Sequence, residues 1–144
     1  MLEAAQVRRF GRSALAAAYG VDVLVLHTTG RRSGIERDTV LSYVEVDGSM
    51  LVVGGAGGQS QIPDWVHNAR AEPRAAVTVD RHRFHVRMVE LDGDERSGVW
   101  ADLVEVWPRI ERYERRAGRL VPVFRLTPTD SSSRRQAGLP DVDT

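Results

Sequence analysis

Short apolar runs separated by turn signals constrain the fold of this 144-residue chain more than any other feature. Asp47-Gly48-Ser49, between two of these runs, is typical of a β-hairpin turn. Because hairpins follow one another and no βαβ repeat is present, the pattern predicts an α+β protein with a small barrel of about six mostly antiparallel strands. The predicted strands are Val23–Thr29, Asp38–Val46, Met50–Val53, Ala75–Val79, Phe84–Leu91 and Leu120–Leu126.

Short helices are predicted at the connections between strands. Prolines bracket one helix over 63–73, and Asp92, with Glu95 three residues on, predicts an N-cap for a second. A third runs from Ile110 and ends at Gly118. The predicted organisation is an N-terminal amphipathic helix over 1–20, a barrel domain over 21–128 and a flexible tail over 129–144. The first helix either packs over the barrel or rests on a membrane surface.

Composition excludes several classes of function. Twenty basic and twenty acidic residues give a formal net charge of zero, which argues against a nucleic-acid partner. The absence of cysteine excludes thiolate metal sites, and the four histidines have no metal-ligand spacing, so no metal is predicted. No apolar stretch is long enough to span a bilayer and no secretion signal is evident. We therefore expect a cytoplasmic protein, with membrane association possible only through the first helix.

The turn after the first predicted strand is rich in arginine. Thr28-Thr29-Gly30-Arg31-Arg32-Ser33-Gly34, followed by Arg37, combines three guanidinium groups with two glycines. Guanidinium forks form bidentate hydrogen bonds to phosphate or carboxylate, and glycine lets backbone N–H groups approach an anion closely. The segment predicts an anion site, and a solvated turn is the alternative.

Two further segments are candidates for ligand binding. Four glycines fall within Gly54–Gly58, and the following helix carries Trp65 and Asn68; the alternatives are a surface loop and core packing of the indole. Further on, Trp107, Ile110 and Tyr113 recur at three-residue spacing, which predicts a shared helical face. Such a face is either a wall beside a flat ligand or part of the core.

The order of these segments resembles the deazaflavin (coenzyme F-420)-dependent nitroreductase family. The resemblance covers roughly residues 20–128 and includes Pro63-x-Trp65, Glu72-Pro73, Trp107-Pro108 and Val121-Pro122-Val123. It implies a split β-barrel, like the flavin-reductase and FMN-binding rolls. It also implies the 8-hydroxy-5-deazaflavin coenzyme, with its phosphate and oligoglutamate tail. The implied reaction is hydride transfer from the reduced coenzyme to an electron-poor quinone, enone or nitro compound.

The resemblance also assigns residues. It implies that Tyr113 is the hydrogen-bond donor to substrate with Tyr43 and Ser42 behind it, and that Trp107, Ile110 and Tyr113 contact the substrate. The implied coenzyme-binding residues are Thr29, Gly30, Arg31, Arg32, Ser33, Gly34, Arg37, Gly55, Ala56, Gly57, Gly58, Trp65 and Asn68.

Departures from the family pattern leave alternatives open. Relatives commonly carry Ser-Lys where this chain has Gly55-Ala56, so Arg32 or Arg70 is expected to supply the missing positive charge. An enzyme using FMN in the same barrel is one alternative, and a non-enzymatic binder of a coenzyme or acyl ligand is another. The sequence leaves open whether the protein is a monomer or a homodimer.

Overall fold

The computed structural model describes residues 22–55 and 60–129. Six strands form a closed barrel in the order β1-β2-β3-β6-β5-β4, with every neighbouring pair antiparallel, which confirms the predicted barrel. The strands are β1 Asp22–Thr29, β2 Glu36–Val46, β3 Ser49–Val53, β4 Arg74–Val79, β5 His82–Glu90 and β6 Val123–Pro128. The described helices are α1 Asp64–Ala71, α2 Gly93–Val106 and α3 Arg109–Ala117.

Side-chain alternation along the strands produces two separate apolar clusters. Inward-facing residues fill the barrel, and α1 adds Trp65, Val66 and Ala69 to this interior cluster. The Trp65 and Phe124 rings lie 5.5 Å apart between centroids. A second, outer cluster joins the outside of the barrel to α2 and α3 and contains Val44, Leu51, Leu91, Leu103, Ile110 and Val123. The helices therefore occupy different places: α1 packs against the barrel interior, whereas α2 and α3 cover its outer wall.

The predicted hairpin turn at Asp47-Gly48 is present, and a second turn of the same kind joins β4 to β5. Asp47 and Gly48 have φ values of 51° and 80°, and Asp80 and Arg81 have 50° and 71°. Positive φ at both central residues is the geometry that suits the right-handed twist of paired strands. These two turns fix the registers of β2 with β3 and of β4 with β5.

Two local predictions were wrong. The last strand begins at Val123 rather than Leu120, because the backbone of Gly54 donates to the Pro122 carbonyl outside the ladder and Leu120 remains 69% exposed. Asp92 does occupy the N-cap of α2, but it makes no side-chain capping hydrogen bond. Glu95 pairs instead with Arg125 of β6, at 3.0 Å, so the predicted capping box does not form.

The predictions for the chain ends lie largely outside the described residues. The amphipathic helix over 1–20, its possible membrane contact and nearly all of the tail over 129–144 fall there. Within 22–55 and 60–129, none of the helices has the length and apolar character needed to cross a bilayer.

Candidate functional site

A tight turn joins β1 to β2 and carries the predicted anion-binding arginines. The backbone of Gly30 donates to the Ile35 carbonyl at 2.8 Å, and Gly34 donates to the Gly30 carbonyl at 2.8 Å. Gly34 has φ +72°, a conformation that favours glycine, and the Ser33 hydroxyl accepts from the Ile35 N–H at 3.1 Å. A Cβ on Gly30 would lie 2.7 Å from the Ser33 oxygen, so this position also requires glycine. The turn is thus internally fixed before any ligand binds.

Helix α1 holds the turn through one buried side chain. Asn68 is 5% exposed, and its Oδ1 accepts from the Arg31 backbone N–H at 3.0 Å and from Arg31 Nη1 at 2.9 Å. Asp64 accepts two longer contacts from the same guanidinium, 3.5 Å to its carbonyl and 3.4 Å to its carboxylate. The structure thus brings Arg31 and Asn68 together, and it gives Arg31 a bracing role that the sequence did not reveal.

An open pocket of about 380 Å³ lies between this turn and α1. No residue in the described parts of the chain accepts a hydrogen bond from the side chains of Arg32 or Arg37, so both guanidinium groups are available to a ligand. The pocket is lined by Gly30, Arg31, Arg32, Ser33, Arg37, Thr39, Asp64, Trp65 and Asn68. Three guanidinium groups against one exposed carboxylate suit a ligand with several negative charges, which fits the phosphate and oligoglutamate tail of F-420.

Two pocket residues escaped the sequence prediction. Thr39 lies on the same face of β2 as Arg37, because side chains two apart on a strand share a face, and this signal is readable from the sequence. Asp64 lies in the first turn of α1, and only the packing of α1 beside the turn brings it to Arg31. Thr29 and Gly34 are not among the pocket residues, and Trp65 both lines the pocket and packs in the interior cluster at 5% exposure.

The glycine-rich stretch is described only at its ends, because Ala56, Gly57 and Gly58 lie outside the described residues. Gly54 and Gly55 are buried between α1 and α3. A Cβ on Gly54 would lie 2.8 Å from Val66 Cγ2, and one on Gly55 would lie 3.0 Å from Tyr113 Cδ2. These glycines therefore serve close packing.

Of the three residues predicted to contact the substrate, two are half-buried and one is fully buried. Trp107 and Tyr113 are half-buried, and their rings meet edge to face with centroids 5.9 Å apart. Ile110 has no exposed surface and packs in the outer cluster, because the apolar side of α3 faces the barrel. Its predicted substrate contact is not available in this structure, whereas the aromatic pair keeps accessible surface.

Tyr43 and Ser42 point to opposite faces of β2. Tyr43 belongs to the interior cluster at 2% exposure, and burial raises the pKa of its hydroxyl far above the usual value. Ser42 lies on the outer face with Val44, which belongs to the outer cluster. Tyr43 packs inside the barrel, and among the described residues no hydrogen bond joins Ser42 to Tyr113, so their role behind Tyr113 stays a prediction.

One group outside the pocket has the donor types of a metal site, which the histidine spacing did not reveal. His27, Glu36 and Asp38 bring their ligand atoms within 4.8 Å of one another on the outer face of β1 and β2. His27 Nδ1 lies 2.7 Å from Asp38 Oδ1, its Nε2 lies 2.7 Å from Thr78 Oγ1, and Arg83 Nη2 donates to Glu36 at 2.7 Å. These polar groups already satisfy one another as a hydrogen-bonded network.

Comparisons with known proteins show the family of this chain. Residues 2–128 match the family model described as F420H(2)-dependent quinone reductase. The Mycobacterium tuberculosis protein named F420H(2)-dependent quinone reductase Rv1261c is 33% identical over 107 residues, 72% of each chain.

Solved structures share the barrel and confirm the fold class. One described as F420-H2 Dependent Reductase (FDR-A) has 32% identity and a TM-score of 0.64, covering 72% of this chain and 92% of its own. Another, described as a domain-swapped dimer, has 32% identity and a TM-score of 0.65, covering 72% of this chain and 78% of its own. The heme storage protein HutZ of Vibrio cholerae, at 15% identity and a TM-score of 0.61, shares the fold alone. The family match over most of the chain confirms the resemblance seen in the sequence: this chain belongs to the F420H(2)-dependent quinone reductase family.

Proposed function

We propose that this protein is an oxidoreductase that binds reduced coenzyme F-420 and reduces a quinone-type acceptor. The observation that carries the proposal is the pocket between the β1–β2 turn and α1, where the available guanidinium groups of Arg32 and Arg37 face a site of about 380 Å³. Family membership supports the choice of coenzyme. Enones and nitro compounds are the other acceptor classes to test.

In this proposal the arginine turn holds the acidic part of the coenzyme. Arg32 and Arg37 donate to phosphate or glutamate oxygens, and charge-assisted bonds of this kind contribute about 1.5–3 kcal/mol each. Arg31 adds positive charge while Asn68 fixes its position. Gly30 and Gly34 keep the turn in the required conformation, and Ser33 braces it through the Ile35 N–H.

The acceptor is proposed to meet Tyr113 and Trp107. The Tyr113 hydroxyl donates a hydrogen bond to the acceptor oxygen, which stabilises the negative charge that develops there. When bound, the coenzyme would supply the hydride and water the proton, while the protein would orient the acceptor and exclude bulk water. The edge-to-face contact with Trp107 limits the freedom of the Tyr113 ring.

The first experiment is a fluorescence titration of the purified protein with oxidised F-420. We expect Arg32→Ala and Arg37→Ala each to weaken binding about tenfold or more, in line with a lost charge-assisted bond. Arg112→Ala, which removes an exposed guanidinium from α3, is the matched control and is expected to bind as the wild type does. Equal affinity in all four proteins would contradict the pocket assignment.

The second experiment separates the remaining alternatives. Anaerobic assays with reduced F-420 and a benzoquinone or naphthoquinone measure turnover, and the absence of turnover despite tight binding would favour a non-enzymatic binder. Parallel titration with FMN tests the alternative coenzyme. Light scattering after gel filtration tests the homodimer, for which the domain-swapped neighbour is a precedent.

A further inference from the structure

Arg119 joins the two ends of the glycine segment, defined here as residues 54–61. Its Nε donates to the Ser60 carbonyl at 2.9 Å, and its Nη2 donates to the Gln61 carbonyl at 3.0 Å. The same Nη2 reaches the Gly54 carbonyl at 3.4 Å. One guanidinium group thus contacts carbonyl oxygens on both sides of residues 55–59 of the sequence.

The position of Arg119 follows from the end of α3. Gly118 is the C-cap of the helix, with φ 68°, and its N–H donates to the Glu114 carbonyl at 3.1 Å. The chain then turns, and Arg119 Nη1 contacts the Leu120 carbonyl at 3.3 Å. The residue is therefore tied to the helix that carries Tyr113.

We propose that Arg119 is a positioning residue that fixes the two described ends of the glycine segment, at Gly54 and at Ser60–Gln61, between the coenzyme pocket and the Trp107–Tyr113 ring pair. This inference rests on the proposed function for its effect on coenzyme binding. Gly54 packs on Val66 of α1, next to Trp65 in the pocket, whereas Gly55 packs on Tyr113 of α3. Holding the Gly54 end of the segment therefore fixes both its contact with Val66 and the neighbouring contact with Tyr113.

A planar guanidinium suits this role better than other side chains. It offers five N–H donors in a rigid fork, so one residue reaches several carbonyl oxygens in different directions. Arg70, which the sequence offered as a replacement for the missing lysine of relatives, is already committed to Glu90 through two 2.8 Å hydrogen bonds. Arg119 brings a permanent positive charge to the ends of the glycine segment.

The test compares Arg119→Lys and Arg119→Gln with the wild type and with Arg112→Gln, an α3 control. Amide hydrogen exchange is measured at Gly54, Gly55 and Val66, together with the KM values for F-420 and for the quinone. We expect Arg119→Gln to raise exchange at these amides at least tenfold and to raise the KM for F-420 at least fivefold. Arg119→Lys keeps the charge but not the fork, so an intermediate effect on both readouts is expected.

Failure of this inference and failure of the proposed function give different results. Wild-type exchange and wild-type KM for F-420 in both variants would overturn the inference. If Arg119→Gln does not fold, Arg119→Lys supplies both readouts. If the wild-type protein itself fails to bind F-420, the proposed function fails, and unchanged exchange at Gly54 and Gly55 would then separately overturn the positioning role.

Discussion

Asn68 holds Arg31 at two points, since its Oδ1 accepts from the Arg31 backbone N–H at 3.0 Å and from Nη1 at 2.9 Å. A buried helix side chain therefore sets both the path of the β1–β2 turn and the direction of one guanidinium group. The bond also connects α1, which packs into the barrel interior, to the arginine-lined pocket. Substitutions of Asn68 are therefore expected to affect both the free energy of unfolding and the binding of a ligand in the pocket.

Two substitutions at Asn68 separate these effects. Asn68→Ala leaves the Arg31 N–H without its acceptor, and we expect the free energy of unfolding to fall by about 1–3 kcal/mol. Asn68→Asp keeps an acceptor for Arg31 but adds a negative charge, so F-420 affinity is expected to fall about tenfold with little loss of stability. Urea unfolding and fluorescence titration measure the two quantities. If Asn68→Asp bound F-420 as tightly as the wild type, the pocket would not be the anion site.

The arginine-rich turn was predictable from sequence because the residues that form it are local. Gly30, Gly34 and the arginines fall within a few residues, and glycines beside arginines in sequence are typical of a turn that presents guanidinium groups. The partner of Arg31 was only half predictable. Asn68 was identified as a hydrogen-bonding candidate, but its bond depends on the packing of α1 against β1, which no local pattern encodes.

Periodicity alone did not decide between a ligand wall and core packing, because one face can serve either. The spacing of Trp107, Ile110 and Tyr113 indicates a common face, but it does not reveal that the outer cluster covers Ile110 completely. Similarly, neighbouring residues of β2 point to different environments, so Tyr43 enters the interior while Ser42 stays outside. Only the tertiary arrangement shows which apolar surface each face meets.

Gly55 is expected to control the position of Tyr113. A Cβ at this position would lie 3.0 Å from Tyr113 Cδ2, so Gly55→Ala requires the ring to move by a few tenths of an ångström. We expect kcat/KM for the quinone to change at least threefold, with F-420 affinity nearly unchanged. Steady-state kinetics and fluorescence titration provide the comparison.

The control for Gly55→Ala is Gly98→Ala on α2, where an added Cβ meets nothing within 4 Å. Removing a glycine from a helix interior is expected to stabilise the protein by about 0.5–1 kcal/mol without altering quinone kinetics. A Gly55→Ala protein with wild-type kcat/KM would show that Tyr113 does not contact the acceptor closely.

Glu114, next to Tyr113 on α3, connects three parts of the chain. Its Oε2 accepts from Arg96 of α2 at 3.0 Å and from the Val121 N–H at 3.0 Å, and Arg96 also donates to the Val121 carbonyl at 2.7 Å. The Arg96 and Glu114 side chains are 14% and 26% exposed. Removing the carboxylate therefore leaves partly buried donors unpaired.

Glu114→Ala is expected to lower the free energy of unfolding by about 1.5–3 kcal/mol, the scale for hydrogen bonds to a charged group. Glu111→Ala, an exposed α3 carboxylate, is the control and is expected to change stability by less than about 0.5 kcal/mol. Urea denaturation measures both. A small effect of Glu114→Ala would show that water replaces its contacts.

Acid conditions test the polar network on the outer face of the barrel. The hydrogen bond from His27 holds the pKa of the Asp38 carboxyl below its usual value, with further contributions from Glu36 and Arg83. Because the unfolded chain binds this proton more readily than the folded chain does, the stabilisation is present above the unfolded pKa of about 3.9 and is lost as pH falls through the folded value. The free energy of unfolding should therefore fall with pH below about 4.5, and the fall should be shallower in Asp38→Asn.

Urea unfolding between about pH 2.5 and pH 6 measures this dependence. Asp102→Asn, which removes an exposed carboxylate of α2, controls for the loss of one negative charge from the surface. Because Asp102 makes no hydrogen bond with other described residues, its removal leaves the His27 network intact. An Asp38→Asn curve that stays parallel to the wild-type curve throughout this range would show that the hydrogen bond from His27 does not couple Asp38 ionisation to folding.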